Sequence, residues 1–468
     1  MNFPQTSAPS RPGMNWKLTL LAGLTAALLA APMAAQAPGC PSGPSPTRAA
    51  RMRYADMPSR AFPFGSFIQP YALWFTTPDS LAFDGSGRAR PDADWRRLRA
   101  INLGFLGPLD PQYSESVYGI AMLHGAELAL ARANARGGFH GKPFALKIHR
   151  DSPLWGASAI ELVRMDYRQH VWAMLGSVDG ASTHIALRAT LKLWVPIVDT
   201  ATTDPTVTET RIPWLLHDFP DDRQQGYALA DYIFNQLHLK HVAILRANNR
   251  YGRLGYTVFF NTARRWGKQP VMVLKFEPYA TGFTRSLREL QQLGMDGLVL
   301  WCNARQAGLI VRQMRALGMR QPVFGPSRLT YPALIQTAGV AANGVVTVAA
   351  INPDRRDPKW LAFRRRYRAR YHADPDAYAA YAYDGMNLLI AAVRQAGLNR
   401  TRIMDALHAY AMRSYAGVSG TAFFDYTLNN IAPVTMARVE HGHFVYWPER
   451  RSDWSRRGWP GCTAAAGR

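Results

Sequence analysis

The chain has 468 residues, room for two or three domains, and is 48% hydrophobic, enough for sizeable cores. Its formal net charge is +23, with local arginine runs at 96–99, 364–370 and 450–457. Such a balance suits nucleic acid, an anionic membrane surface, an anionic partner or an acidic milieu. It comes without zinc-ligand spacing, a basic zipper or an RNA-binding aromatic signature, which argues against nucleic acid as the partner.

The three cysteines, Cys40, Cys302 and Cys462, show no metal-ligand spacing. Cys40 and Cys462 lie near the two ends and are a candidate pair in an oxidising compartment. Cys302 ends an apolar run and reads as a free, small apolar residue.

Residues 1–37 have the layout of an export signal. Arg11 and Lys17 precede an apolar run from Leu18 to Ala31, and Ala35-Gln36-Ala37 offers a small-x-small cleavage site. The run is short for a membrane span. Ala37-Pro38-Gly39 before Cys40 makes a poor lipidation site, so simple cleavage near Ala37 and a soluble, periplasmic mature chain are expected. Residues 38–100 are rich in Pro, Arg and aromatics and hold no period. They read as an irregular arm that packs on a neighbouring domain or a partner, because so many aromatics do not suit a solvated linker.

From Ile101 strands alternate with helices. Strands are expected at 101–106, 144–150, 173–175 and 196–198, with helices at 118–135, 157–169 and 181–193. After a break at 217–222 come a helix at 221–237, a strand at 242–247, a helix at 256–266 and a strand at 271–276. Then follow a helix at 283–293, a strand at 297–302, a helix at 305–317, and strands at 322–325 and 344–351. Helices are expected at 358–371, 377–396 and 402–412. A closing antiparallel set is expected at 422–426, 434–440 and 443–447, then a loose basic tail at 450–468. The class is α/β, with doubly wound parallel sheets covered on both faces.

The stretch Trp172 to Pro205 carries the clearest binding signal. Two strands end in Ser/Thr/Gly-rich loops, Gly176 to Ser182 and Thr200 to Pro205, and each loop opens a helix. Helix N-termini present unpaired N–H groups and partial positive charge. In open α/β sheets the carboxyl ends of strands are where ligands bind. The same residue types are also ordinary helix caps.

Several motifs together resemble the exported solute-binding proteins of the leucine/isoleucine/valine-binding type, which feed ATP-driven importers. They are INLGFLGPLD (101–110), Tyr118-Gly119, GAELALARANARGGFHGKPF (125–144), MLGSVDGAST (174–183), VPIVDTATTDP (195–205), RYGRLGY (250–256), GFTRSLRELQQLGMDGLVL (282–300), RQMRALGMRQPVFGP (312–326) and AYAAYAYDGMNLL (377–389). The resemblance covers about 100–449. It implies two α/β lobes joined by three crossing strands, one lobe from 101–219 plus 350–416 and the other from 220–349 plus 417–449. The ligand would lie between lobes that close by hinge bending.

The resemblance also implies site residues. Backbone N–H groups from Gly180, Ala181 and Ser182 would meet a ligand carboxylate. The family's serine falls at Gly180, with Ser182 as a substitute. In the second loop the Ala201 carbonyl would take an ammonium and Thr203 the carboxylate. Tyr118 and Tyr251 fall where aromatics contact the ligand from either lobe. Amino-acid binders of this type carry a Glu after Gly-Pro; here Ser327 and then Arg328 follow Gly325-Pro326. A buried ammonium without a carboxylate is costly, so either Asp179 or Asp204 compensates or the ligand is not an α-amino acid. Arg328, pointing inward, would favour a second anionic group; pointing outward, it is a solvated arginine. Trp301 would suit an apolar or aromatic ligand, or be core.

The expected function is capture of a small carboxylate-bearing solute for an ABC-type importer, with a membrane permease as partner, a monomeric chain and no cofactor or metal. The alternative is a sensor of the same fold reporting to a membrane or periplasmic partner. Catalysis is not expected: there is no His/Glu metal motif, nucleophile elbow or phosphate-binding glycine loop.

Overall fold

The computed structural model describes residues 93–151, 156–210, 212–411, 413–425 and 427–447. The expected signal, Cys40, Cys462, the tail and all of the arm before residue 93 lie outside them. The arm's described end is a short 3-10 turn, Trp95–Arg97, whose Trp95 stacks on His140 with ring centroids 4.8 Å apart.

The first lobe is a parallel sheet of five strands in the order β2-β1-β3-β4-β5. These are β1 (Ile101–Gly107), β2 (Phe144–Arg150), β3 (Met174–Leu175), β4 (Ile197–Asp199) and β5 (Leu215–His217). Helices α1 (Ser116–Ala135), α2 (Ala157–Tyr167), α3 (Gly180–Leu193) and the single turn α4 (Thr206–Glu209) connect them. The chain then crosses to the second lobe through α5 (Asp222–Ala230). Asp221 and Gln224 close a capping box there, the reciprocal bonding that a D-x-x-Q pattern permits at a helix start.

The second sheet has seven strands in the order β14-β13-β10-β9-β8-β6-β7. Its parallel members are β6 (Val242–Ala247), β7 (Met272–Phe276), β8 (Gly297–Trp301), β9 (Val323–Gly325) and β10 (Val346–Ala349). Helices α6 (Arg250–Arg265), α7 (Thr284–Gln292), α8 (Ala304–Ala316) and α9 (Ala333–Ala338) cover it. β8 is buried at every residue, as a strand covered on both faces must be. The chain returns to the first lobe in α10 (Pro358–Tyr371), α11 (Ala377–Ala396) and α12 (Arg400–Ala411). It crosses a third time to reach β13 (Thr435–Glu440) and β14 (His443–Tyr446), which pair antiparallel on the edge of the second sheet.

Several elements differ from the sequence reading, which gives no helix at α4 or α9. Helix α6 starts at Arg250 rather than 256, because the Asn249 side chain caps the N–H of Gly252 at 2.8 Å. Gly255 within it is a packing site: a Cβ there would stand 1.8 Å from Trp301 Nε1. Strand β5, only three residues long, was not anticipated. The closing antiparallel set is split: Thr421–Ala422 pairs with Tyr415–Ala416 as a separate hairpin, β11 (Tyr415–Ala416) and β12 (Thr421–Ala422). A turn in which Asp425 accepts from the N–H groups of Thr427 and Asn429 then interrupts the chain. Val418, Ala422, Phe424 and Leu428 pack in the first lobe's core.

Two of the crossings are tied by buried polar bonds. His217 Nδ1 lies 2.6 Å from Asn429 Oδ1, Asn429 Nδ2 donates to Asp221 at 3.0 Å, and Asn430 Nδ2 donates to the Asp218 carbonyl at 2.6 Å. Satisfied networks of this kind rigidify the segments they join.

Candidate ligand-binding site

The parallel strands of both sheets point their carboxyl ends at one cavity of about 220 Å³ between the lobes. Asp151 follows β2, Val178 and Asp179 follow β3, Asn249 follows β6, Asn303 follows β8 and Arg328 follows β9, and all of them line it. Ligands bind at such strand ends because loops and helix N-termini converge there.

Arg328 dominates the chemistry. It is buried, on the short 3-10 turn after β9 (Ser327–Thr330). Its guanidinium lies 3.8 Å above the Tyr251 ring centre and 5.5 Å from that of Tyr118. Nη1 donates to Asn303 Oδ1 at 3.1 Å, Nη2 reaches the Val178 carbonyl at 3.4 Å, and Nε has no hydrogen-bond partner. The aromatic faces favour the cation. The other deeply buried arginines have acids: Arg223 pairs with Asp221 at 2.6 Å and Arg400 with Asp166 at 2.5 Å. Arg328 has no carboxylate within 4.0 Å among the described residues. A guanidinium does not give up its proton, so it stays a buried charge on which Glu115 acts, and which acts on Asp222, without a salt bridge to either.

The first lobe's side of the cavity is acidic. The Asp151 carboxyl accepts from Ser158 Oγ at 2.6 Å and from Ser177 Oγ, and burial pushes it above the usual carboxylate range. Asp179 caps α3, taking the Ser182 N–H at 3.1 Å. Beside it stands Asp204. A Cβ at Gly180 would lie 2.2 Å from Asp204 Oδ2, so only glycine lets this carboxylate approach the helix start. Asp204 Oδ2 takes Arg250 Nε at 2.7 Å, and Oδ1 takes the N–H and hydroxyl of Thr206 at 2.9 and 2.6 Å. The protein's own carboxylates therefore occupy the positive end of α3.

The structure brings Ser182, Tyr251 and Arg328 to the cavity wall, and Gly180 and Thr203 to a small recess that shares Tyr251 and Arg328 with it. Thr203 lies beside the buried Asp222. Tyr118 stacks on Tyr378 at 4.6 Å next to the Arg328 guanidinium. Four expected residues stand elsewhere. Ala181 lines neither space. Ala201 is buried with its N–H on Asp199 at 3.1 Å, and the Ser327 N–H bonds Gln225 Oε1 at 2.9 Å. Trp301 is fully buried against α6. Sequence reasoning missed Asp151, Asn249 and Asn303. Each directly follows an expected strand, or lies two residues beyond it, so the strand-end rule applied to every strand would have found them.

Two sheets whose parallel strands converge on one cavity define a cleft-binding protein for a small solute. A family model described as periplasmic binding protein matches residues 100–443, and the chain belongs to that family, whose members are non-enzymatic solute binders of the type I fold. The chain is 26% identical over 325 residues to a Leu/Ile/Val-binding protein homolog of Brucella abortus, covering 68% of this chain and 82% of the relative. Its fold matches a branched-chain amino acid transporter substrate-binding protein of Streptococcus pneumoniae in complex with isoleucine. That likeness has TM-score 0.68 and 24% identity, over 74% of this chain and 100% of the other. It also matches an R. palustris ABC-transporter solute-binding protein in complex with benzoate, at TM-score 0.66 and 20% identity, over 74% and 95% of the two chains.

Proposed function

We propose that the protein captures a small carboxylate-bearing solute between its lobes and delivers it, outside the cytoplasmic membrane, to the permease of an ABC importer. One observation carries the choice of solute: Arg328 is a buried cation on the cavity wall with no salt-bridge partner among the described residues. An entering carboxylate supplies the counter-charge that the fold withholds, through charge-assisted hydrogen bonds. Tyr251 would hold the cation from behind, with Ser182 and Thr203 as nearby hydroxyl contacts. Asp151 and Asp179, in the same lining, are acceptors for an amine when the solute carries one. The relatives agree in kind, one holding isoleucine and another benzoate. The S/T-rich loops contribute less than the resemblance implies, because Asp179 and Asp204 already fill the start of α3.

Calorimetric titration with isoleucine, leucine, benzoate, an aliphatic monocarboxylate and the matching primary amide tests this reading. Carboxylates bind and the amide does not. Binding of the amide as tightly as its acid would overturn the role of Arg328. Binding of the acid without its amine would show that the acidic wall is not required.

A further inference from the structure

The first lobe carries a second concavity, of about 850 Å³, that shares no residue with the cleft. It is framed by the C-terminal end of α1, the start of α10, one face of α11 and the hairpin β11–β12. Five cations line it: Arg132, Arg136, Lys359, Arg366 and Arg394. None has a carboxylate within 4.0 Å among the described residues. The one acid in its lining, Asp384, is buried, and its oxygens are taken by the N–H groups of Val418 and Ser419 at 2.9 and 2.7 Å and by Ser419 Oγ at 2.7 Å. The contrast lies on the same helix, where Arg364 and Arg368 share Asp374.

Three of the cations are held in place. Arg132 Nη1 donates to Tyr383 Oη at 2.8 Å, Lys359 Nζ to the Ala416 carbonyl at 2.6 Å and Arg394 Nη2 to the Gly138 carbonyl at 2.8 Å. Arg136 and Arg366 are exposed and their side chains make no hydrogen bond within the described residues, so their forks are free to close on a guest. Five like charges in one hollow repel one another until an anion enters.

We infer that this groove is a binding site for a phosphoryl-bearing polyanion. Several negative charges are needed to match five cations, and arginine forks fit phosphate oxygens in pairs. The phosphoryl groups can belong to a free polyphosphate or to lipid headgroups, and the experiment separates the two.

The full chain is titrated with tripolyphosphate at near-physiological salt. In a parallel arm it is sedimented with vesicles of phosphatidylglycerol in phosphatidylcholine, and with phosphatidylcholine alone. Both arms are repeated on Arg136→Glu/Arg366→Glu. An Arg285→Glu/Arg288→Glu control makes the same charge change at two exposed positions of α7. Tripolyphosphate binding that falls at least tenfold in the groove variant and not in the control assigns a soluble polyanion. Sedimentation with the anionic vesicles only, lost in the same variant, assigns headgroups. No binding in either arm, or equal losses in both variants, overturns the site. Thermal unfolding and the cleft titration of each variant show that the chain is folded.

Discussion

Arg250 of the second lobe donates its Nε to Asp204 of the first at 2.7 Å, so an ion pair spans the cleft beside the cavity. Asn303 Nδ2 adds bonds to Glu115 Oε1 at 2.9 Å and Ser114 Oγ at 3.1 Å across the same gap. The lobes are in direct polar contact, so closure is partly encoded in the chain itself. Arg250→Ala leaves the buried Asp204 without its cation. A loss of about 1.5–3 kcal/mol is expected for a hydrogen bond to a charged group. Thermal unfolding reads that loss, and solution scattering of the ligand-free variant should show a larger radius of gyration. An unchanged radius would mean that other contacts hold the lobes.

Arg328→Met separates binding from stability. The substitution removes a buried cation with no acid and leaves an apolar side chain of similar length, which is often neutral or stabilising. The unfolding temperature without ligand should hold or rise. Carboxylate affinity should fall by about 1.5–3 kcal/mol, roughly ten- to a hundredfold. A destabilised variant with intact affinity would assign Arg328 a structural role.

Tyr251 adds a finer test. Its hydroxyl is buried and has no hydrogen-bond partner among the described residues, and burial holds its pKa well above the usual phenol value. Tyr251→Phe keeps the ring under Arg328 and discards an unsatisfied donor, so stability without ligand should not fall. If the hydroxyl meets the solute, affinity drops by about 1 kcal/mol. Equal affinity by calorimetry would confine Tyr251 to its stacking role.

Gly180→Ser restores the residue type that the family resemblance implies at this position. Here the new Cβ would meet Asp204 Oδ2 at 2.2 Å. Asp204 would have to move from Arg250 and Thr206, at a cost of about 1–3 kcal/mol from overpacking. Lower unfolding temperature and weaker ligand binding are expected together. A variant as stable as the parent would show that Asp204 has room to turn away.

Asp199 sets a pH dependence. Burial pushes its carboxyl up to about 6, although His217 and the N–H groups of Ala201 and Thr202 oppose the rise. The folded state therefore binds this proton more tightly than the unfolded chain does. The favourable contribution is complete below the unfolded value near 4 and is lost as pH rises through about 6. Asp199→Asn keeps the Oδ1 acceptor and removes the charge. Stability above pH 6 should rise by up to about 3 kcal/mol, and the slope between pH 4 and 6 should flatten. Denaturant midpoints across that range check it.

The alternation of strands and helices was legible in the sequence because each element's period is local. The same holds for the break near 217–222, where Asp221 and Gln224 form a capping box within four residues. That a cavity opens at the strand ends followed from topology alone. The family resemblance added the two-lobed architecture.

Which side chains face the cavity was decided by the tertiary structure. Arg328 reaches the Val178 carbonyl across 150 residues of sequence, and no local pattern states that it turns inward. The same holds for Asp204, which fills the start of α3 only because Gly180 has no side chain and Arg250 arrives from the other lobe. Trp301 reads equally well as a ligand contact or as core until Gly255 is seen to make room for it. Burial and charge pairing depend on residues far apart in the chain. Local period determined the elements of this protein, and the packing of its two lobes determined its site.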